Sequence, residues 1–345
     1  MDLTINEEDI KAALISQSGN IYSKADVTQF LQHHDYYKHV GARFLCWLIQ
    51  LELLSPIRAK WVTELYNLHN SYNKIRLERF PEQSHQYNSQ FNPMSLLSDK
   101  IQNSINADLS VSQAWFEKLI EQVGIQPHYK EDAKTRFSRI ITAINLENPS
   151  LSYTQGNDRL IWASYLVALS FSSNGGLDRS FAESMAYFLS IALISRIKIS
   201  RYITDLSRLE RHFSKLDWLL EREEPEISDV LIQEQHSAIH YAMKWELTLF
   251  ADEHNAHELM FIWDQIFSRL DEYNEFLRCL CVSHIKQVPL AKNPGEMAMN
   301  IQKNRVWDVS KIVDDAVDMM VTKEVSCFSK FWKSVVTMFQ EHCVF

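Results

Sequence analysis

The sequence has 345 residues, of which 46% are hydrophobic and 23% are charged, and its formal net charge is −9 at pH 7. This composition provides apolar material for a large core and excludes the class of disordered chains, which combine low hydrophobicity with high charge. The acidic balance argues against nucleic-acid binding, because the neutralisation of phosphates requires a clustered basic surface.

The chain begins with an acidic segment, residues 1–14, that lacks the basic stretch and apolar run of a signal or transit peptide. Its most apolar segments, 159–171 and 186–195, are shorter than the ~20 residues that cross a bilayer. We therefore expect a cytoplasmic protein in which both segments form buried helices.

Helical spacing dominates the chain. Glycine occurs only 7 times, and no stretch shows the period-2 alternation of β-branched residues that is typical of strands. Apolar residues instead recur at helical intervals in the segments 42–54, 58–77, 114–123, 135–146, 181–197 and 238–250. The sequence therefore predicts an all-α fold.

Polar or glycine-containing intervals interrupt this pattern at 81–98, 172–178 and 293–297. The first is flanked by proline and is expected to be a long surface loop. The last segment, residues 321–345, carries apolar residues at helical spacing and is predicted to be a C-terminal amphipathic helix.

One pair of histidines has the spacing of a helical metal site. His236 and His240 are at i and i+4, which places both on one face of a helix. No thiolate or carboxylate completes a recognisable ligand set around them, so we expect no metal site.

The most informative segment lies near the middle of the chain. Tyr153-Thr154-Gln155-Gly156-Asn157-Asp158 is similar to the Tyr-x-Gln-Gly-Met-Asn signature of TBC domains, the GTPase-activating domains that act on Rab GTPases, and Asn148-Pro149 precedes it as is usual in that family. Further family blocks stand in the expected order: Gly41-x-Arg43-x-x-x-Trp47, Trp245-x-x-x-x-Phe250 and Ile262-Trp263-Asp264-x-Ile266-Phe267. The resemblance extends from about residue 40 to about residue 320.

This resemblance implies a two-lobed helical TBC-like fold. Residues 1–39 are then an N-terminal helical extension, and 40–320 are the TBC domain, with an N-lobe of about 40–175 and a C-lobe of about 176–320. The tryptophans and phenylalanines of the family blocks are expected to fill its core. We expect Arg43 to anchor a buried carboxylate and Asp264 to cap a helix or pair within the scaffold.

Gln155 is the candidate catalytic residue. Its place before a glycine at a loop-to-helix junction predicts an outward side chain on rigid backbone, with Asn157 or Asp158 capping the following helix. TBC domains supply a glutamine and an arginine in trans, which orient the attacking water and neutralise charge on the γ-phosphate. By resemblance, Gln155 is the glutamine finger, and the binding residues are Tyr153, Gly156, Asn157, Asp158 and Gln126. The alternative is an ordinary turn glutamine.

The family's arginine comes from an upstream Ile-x-x-Asp-x-x-Arg-Thr motif. In the frame 120–126, Val123 stands at the aspartate and Gln126 at the arginine, and an uncharged side chain cannot provide the electrostatic stabilisation of an arginine finger. Arg136 lies closer to Gln155, on an amphipathic helix whose arginines are expected to be solvated. Arg136 is therefore the candidate for a displaced finger.

Three functions remain open. The resemblance implies a Rab GTPase-activating protein in membrane traffic. The missing arginine favours a catalytically degenerate TBC domain that binds a small GTPase or another partner. The third possibility is a structural scaffold in a larger complex. In the first two, GTP and Mg²⁺ belong to the partner, so this chain needs no cofactor. A Rab-family GTPase would also be the route by which the chain associates peripherally with endomembranes.

Overall fold

The computed structural model describes residues 5–17, 23–33, 40–80, 92–130, 132–197, 205–291, 293, 295–304 and 306–321. Every regular element within these ranges is a helix or a helical turn, which confirms the all-α prediction. Residues 81–91 of the predicted loop and 322–345 of the predicted C-terminal helix lie outside the described residues.

In chain order the helices are α1 (Glu7–Gln17), α2 (Lys24–His33), α3 (Val40–Gln50), α4 (Trp61–Arg79), α5 (Asp99–Gln122), α6 (Ala133–Glu147), α7 (Asn157–Gly175), α8 (Arg179–Arg196), α9 (Leu206–Glu223), α10 (Pro225–Gln233), α11 (Ala238–Thr248), α12 (Ala256–Phe267), α13 (Tyr273–Lys286), α14 (Met297–Lys303) and α15 (309–321). None of these helices is at once long and apolar enough to traverse a bilayer, a statement that covers the described part of the chain.

The first compact unit comprises residues 1–206 and 243–270. Its centre is the antiparallel pair α7 and α8, on which α1, α3, α4, α5 and α6 pack. Nearly every residue of α7 from 157 to 172 is buried, as expected for a helix that is apolar on all sides. The predicted interruption at 172–178 includes the last residues of α7, and the turn between the two helices is 176–178, where Gly176 adopts a φ of 68° that favours glycine.

A stack of aromatic rings fixes α5 and α6 against α7. Trp162 lies between Phe116 of α5 and Phe137 of α6, with ring centroids 4.2 Å apart on each side. Trp162 Nε1 also donates a hydrogen bond to Ser112 Oγ at 3.1 Å. These contacts set the position of α5 along α7 and therefore decide which residues of α5 lie beside the start of α7.

The family blocks on α3 and α12 meet in a buried polar contact. Arg43 Nε lies 2.8 Å from Asp264 Oδ2, and Trp47 Nε1 donates to Asp264 Oδ1 at 2.7 Å. Both charged side chains are 5% exposed, so Arg43 does anchor a buried carboxylate and Asp264 does pair within the scaffold. The block tryptophans and phenylalanines are buried as expected: Trp47, Trp245, Phe250, Trp263 and Phe267.

The second compact unit comprises residues 207–242 and 271–345, of which the described parts form most of α9, α10, the start of α11, α13, α14 and α15. Helix α9 buries one apolar face, formed by Leu209, Phe213, Leu216, Leu219 and Leu220. Helix α10 packs on α14. The lobe limits inferred from the sequence stay a prediction.

Candidate functional site

The signature segment 153–158 forms the turn that leads into α7. The helix begins at Asn157, and the preceding Gly156 has a φ of 100°. Neither Asn157 nor Asp158 provides the expected cap, because both already lie within the first helical turn, and no side chain caps this end. Both residues are buried instead. The position before the helix is thus specified by a backbone conformation that suits glycine rather than by a capping side chain.

Gly156 is also closely packed. A Cβ atom at this position would lie 3.2 Å from Thr248 Cγ2, in addition to carrying the strain of the positive φ. Gly176 has a similar φ of 68°, but a Cβ there would meet nothing within 4 Å. A substitution at Gly156 therefore adds both backbone strain and a steric contact, whereas a substitution at Gly176 adds backbone strain alone.

We expect Gly156→Ala to lower the free energy of unfolding by about 1–2 kcal/mol for the left-handed backbone, plus a further loss from the Thr248 contact. Gly176→Ala is the matched control, since it carries the backbone strain alone. Urea denaturation of both variants measures the difference. Equal losses in the two variants would contradict the steric contribution.

Gln155 is exposed at the tip of this turn. Its Nε2 donates to Asp108 Oδ1 at 3.4 Å, and the Tyr153 hydroxyl donates to Asp108 Oδ2 at 2.5 Å. In this contact the amide nitrogen of Gln155 faces Asp108, and its Oε1 is left as an acceptor. An oriented carbonyl oxygen is the group that can accept a hydrogen bond from a water molecule.

The hydroxyl of Tyr153 is held in its protonated, donating form. Burial and the nearby Asp158 and Asp108 carboxylates raise the pKa of Tyr153 well above its ordinary value. Burial also raises the pKa of Asp158, against the opposing effect of Arg159. Tyr153 therefore donates to Asp108 throughout the physiological pH range and helps to fix the carboxylate that contacts Gln155.

A groove of about 420 Å³ opens beside Gln155. Three parts of the first unit line it, namely the middle of α5, the start of α7 with its preceding turn, and the segment from the end of α11 towards α12: Ala107, Asp108, Val111, Gln155, Gly156, Asp158, Arg159, Met243, Lys244, Leu247, Thr248 and Asp252. We call this feature the Gln155 groove. It combines apolar side chains with charged side chains of both signs.

The Gln155 groove reveals a motif frame that the sequence reasoning missed. Ile105-x-x-Asp108-x-x-Val111 fits the family's Ile-x-x-Asp-x-x-Arg pattern except at its last position, where valine replaces arginine. Asp108 and Val111 both line the groove with Gln155, and Val111 is 63% exposed. Gln126 is exposed but is not among the groove residues. The structure therefore supports the frame 105–111 over the frame 120–126. The Ile-x-x-Asp spacing of residues 105–108 is the sequence signal that could have identified it.

Arg136 was expected to be solvated, but it is buried. It is also not among the residues that line the Gln155 groove. It is 1% exposed, with Nη1 donating to Glu183 Oε2 at 2.8 Å and Nη2 donating to Asp132 Oδ2 at 3.0 Å. Glu183 is itself fully buried and requires a counter-charge, which explains why this arginine faces inward. A finger role would require Arg136 to abandon a buried carboxylate, so the geometry gives it no support.

The family model of the Rab-GTPase-TBC domain matches residues 42–288 of this chain. The chain belongs to the Rab-GTPase-TBC domain family. The family match confirms the resemblance read from the signature and its companion blocks.

Curated relatives of this TBC domain carry the name TBC domain-containing protein kinase-like protein. The Mus musculus protein is 23% identical and the Homo sapiens protein 25% identical, each over 192 residues. Each match covers 54% of this chain and 20% of the relative. The chain thus spans about a fifth of the length of the curated relatives it matches.

Among solved structures, the crystal structure of the Ypt/Rab-GAP domain of Gyp1p is similar to this TBC domain with a TM-score of 0.63. The match covers 92% of this chain and 98% of that domain at 14% sequence identity. At this level of identity the match establishes the fold, and it confirms the two-lobed helical TBC architecture.

Proposed function

We propose that this TBC domain accelerates GTP hydrolysis by a Rab-type small GTPase, with Gln155 acting in trans as the glutamine finger. The proposal depends on the exposure and orientation of the Gln155 side chain. Gln155 is exposed at the groove, and its amide nitrogen donates to Asp108, which leaves Oε1 as an acceptor. Orienting the attacking water through such an oxygen is the role that a glutamine plays in GTP hydrolysis.

The nucleotide and Mg²⁺ belong to the partner in this proposal, so the TBC domain contributes side chains and no cofactor. Its biological setting is vesicle traffic, with peripheral association to endomembranes through the GTPase. Because Val111 stands at the arginine position, the wild-type domain lacks a contribution that is worth ~10³–10⁵ in rate. We therefore expect its acceleration to be smaller than that of a domain with both fingers.

The test is single-turnover GTP hydrolysis across a panel of Rab GTPases. Wild type is expected to accelerate at least one of them, and Gln155→Ala is expected to lower that accelerated rate by about tenfold or more, equivalent to ~1.4 kcal/mol of transition-state stabilisation. Gln233→Ala is the matched control, because Gln233 is an exposed glutamine at the end of α10. It is expected to leave the rate unchanged.

The remaining outcomes distinguish the alternatives. Nucleotide-dependent binding of a Rab without any acceleration would identify a degenerate TBC domain that acts as a binding module. Absence of both binding and acceleration across the panel would favour a scaffold role.

A further inference from the structure

The Gln155 groove has a valine at the arginine position but still contains cationic side chains. Among the described residues that line it, Arg159 and Lys244 are the positively charged ones. GTP hydrolysis requires neutralisation of charge on the γ-phosphate as well as an oriented water molecule. Which of the two side chains can provide that charge depends on how firmly the scaffold holds each of them.

Arg159 is fixed on several sides. Its Nε donates to Asp252 Oδ1 at 2.5 Å, and its guanidinium carbon lies 4.9 Å from the centre of the Trp115 ring. The Asp158 carboxylate lies 3.7 Å from Nη1, and only 12% of the side chain is exposed. Moving this guanidinium towards a partner would break a largely buried ion pair and an aromatic contact. We regard Arg159 as part of the groove wall.

Lys244 makes fewer contacts and is far more exposed. Its side chain is 55% exposed, with Nζ 3.0 Å from Asp252 Oδ2 and 3.9 Å from Glu253 Oε1. The lysine end of both pairs is open to solvent, whereas the Asp252 and Glu253 side chains are 17% and 3% exposed. When Lys244 leaves, Asp252 keeps its bond to Arg159, and Glu253 loses a contact at 3.9 Å while it keeps another partner. The exposed ammonium group can therefore exchange its carboxylates for a phosphate without leaving either of them unpartnered.

We propose that Lys244 supplies the positive charge that the missing arginine would provide to the γ-phosphate in the transition state. The inference rests on the proposed GTPase-activating function and names a further residue for it. Lysine binds phosphate as a point charge on a flexible stem, without the fixed fork of a guanidinium. Water attacks the γ-phosphorus, the bond to the β–γ bridging oxygen breaks, and GDP and inorganic phosphate leave with the protons of that water. Lys244 donates hydrogen bonds throughout and keeps its own proton.

The experiment uses a Rab GTPase that wild type accelerates and compares Lys244→Ala, Lys244→Arg and the control Lys74→Ala. Lys74 of α4 is 79% exposed and has a carboxylate partner, Glu78, at 4.0 Å. Single-turnover hydrolysis gives the maximal rate. Affinity is measured for the GTPase loaded with a non-hydrolysable GTP analogue and, separately, with GDP and aluminium fluoride as a transition-state mimic.

Lys244→Ala is expected to lower the maximal rate by about tenfold or more and to weaken the aluminium fluoride complex by a similar factor. The affinity for the GTP-analogue complex should change by less than about threefold, because the charge is needed only as the transition state forms. Lys244→Arg should retain most of the rate, and Lys74→Ala should behave as wild type.

Equal weakening of both complexes by Lys244→Ala would show an ordinary docking contact and overturn the inference. So would an unchanged rate in Lys244→Ala. These outcomes leave the proposed function intact if Gln155→Ala still lowers the accelerated rate. If wild type accelerates no Rab, the proposed function fails, and the role of Lys244 fails with it.

Discussion

Val111→Arg is expected to raise the hydrolysis rate of a responsive Rab GTPase by about 100-fold or more over the wild-type domain. The substitution places a guanidinium at the arginine position of the frame 105–111, in the groove that also holds Gln155. Val111 is 63% exposed, so the longer side chain displaces no core residue. Arginine is also a better helix former than valine, and α5 should therefore tolerate it.

The expected gain is smaller than the full value of an arginine finger, because the groove contains competing carboxylates. Asp108 lies one helical turn before position 111, and exposed pairs at this spacing are worth ~0.2–0.5 kcal/mol. That competition is weak beside the ~4 kcal/mol that corresponds to a thousandfold rate effect. A net acceleration should therefore remain.

Single-turnover hydrolysis measures the effect, with Val111→Gln as the control that adds length without charge. Combining Val111→Arg with Gln155→Ala should remove most of the gain if both side chains act on the same γ-phosphate. If Val111→Arg binds the GTPase normally and does not accelerate hydrolysis, the γ-phosphate does not reach this part of the groove, and the frame 105–111 has no catalytic meaning.

The fold and its core followed from the sequence because they depend on patterns that are local or repeated. Helical spacing predicted the all-α architecture, and the buried tryptophans belong to blocks that could be recognised one at a time. Even the pair of Arg43 with a buried carboxylate was predictable, since a charged residue inside an apolar helix requires a partner.

The site was less predictable because it depends on pairings across the chain. Asp108 and Gln155 are 47 residues apart, as are Arg136 and Glu183, and no local pattern connects either pair. An amphipathic helix seen in isolation favours a solvated Arg136, whereas a fully buried glutamate on the neighbouring helix α8 draws it inward. The frame 105–111 was missed for a similar reason. Its arginine is replaced by Val111, and only the folded structure brings Val111 and Gln155 into the same groove.

The strongest effect on stability is expected at Glu183. Arg136, Arg139 and Tyr72 all donate hydrogen bonds to its carboxylate, at distances between 2.6 and 2.8 Å. The carboxylate is 1% exposed, and the Arg136 and Arg139 side chains are 2% and 16% exposed. The network joins α4, α6 and α8, so it holds these three helices together.

Glu183→Ala is expected to lower the free energy of unfolding by ~3–5 kcal/mol, because it leaves two arginines largely buried without their shared counter-charge. Glu147→Ala is the matched control. Glu147 Oε1 lies 2.7 Å from Arg79 Nε, but the two side chains are 29% and 47% exposed. Losing such a pair should lower the free energy by no more than ~1 kcal/mol. Urea denaturation followed by tryptophan fluorescence compares the two variants, and similar losses would contradict the importance of burial.

The same network gives stability a defined pH dependence. Burial opposes ionisation of Glu183, but Arg139, Arg136 and Tyr72 outweigh it and hold the pKa of Glu183 below its ordinary value of 4.5. A folded-state pKa below the unfolded value means that this stabilisation is complete above pH 4.5 and is lost as the pH falls through the lower folded-state pKa. The difference in unfolding free energy between wild type and Glu183→Gln should therefore be largest near neutral pH and shrink in acid. If the difference in unfolding free energy between wild type and Glu183→Gln stayed constant down to strongly acidic pH, Arg136 and Arg139 would not require the carboxylate charge. The charge of Glu183 would then not explain why Arg136 faces inward.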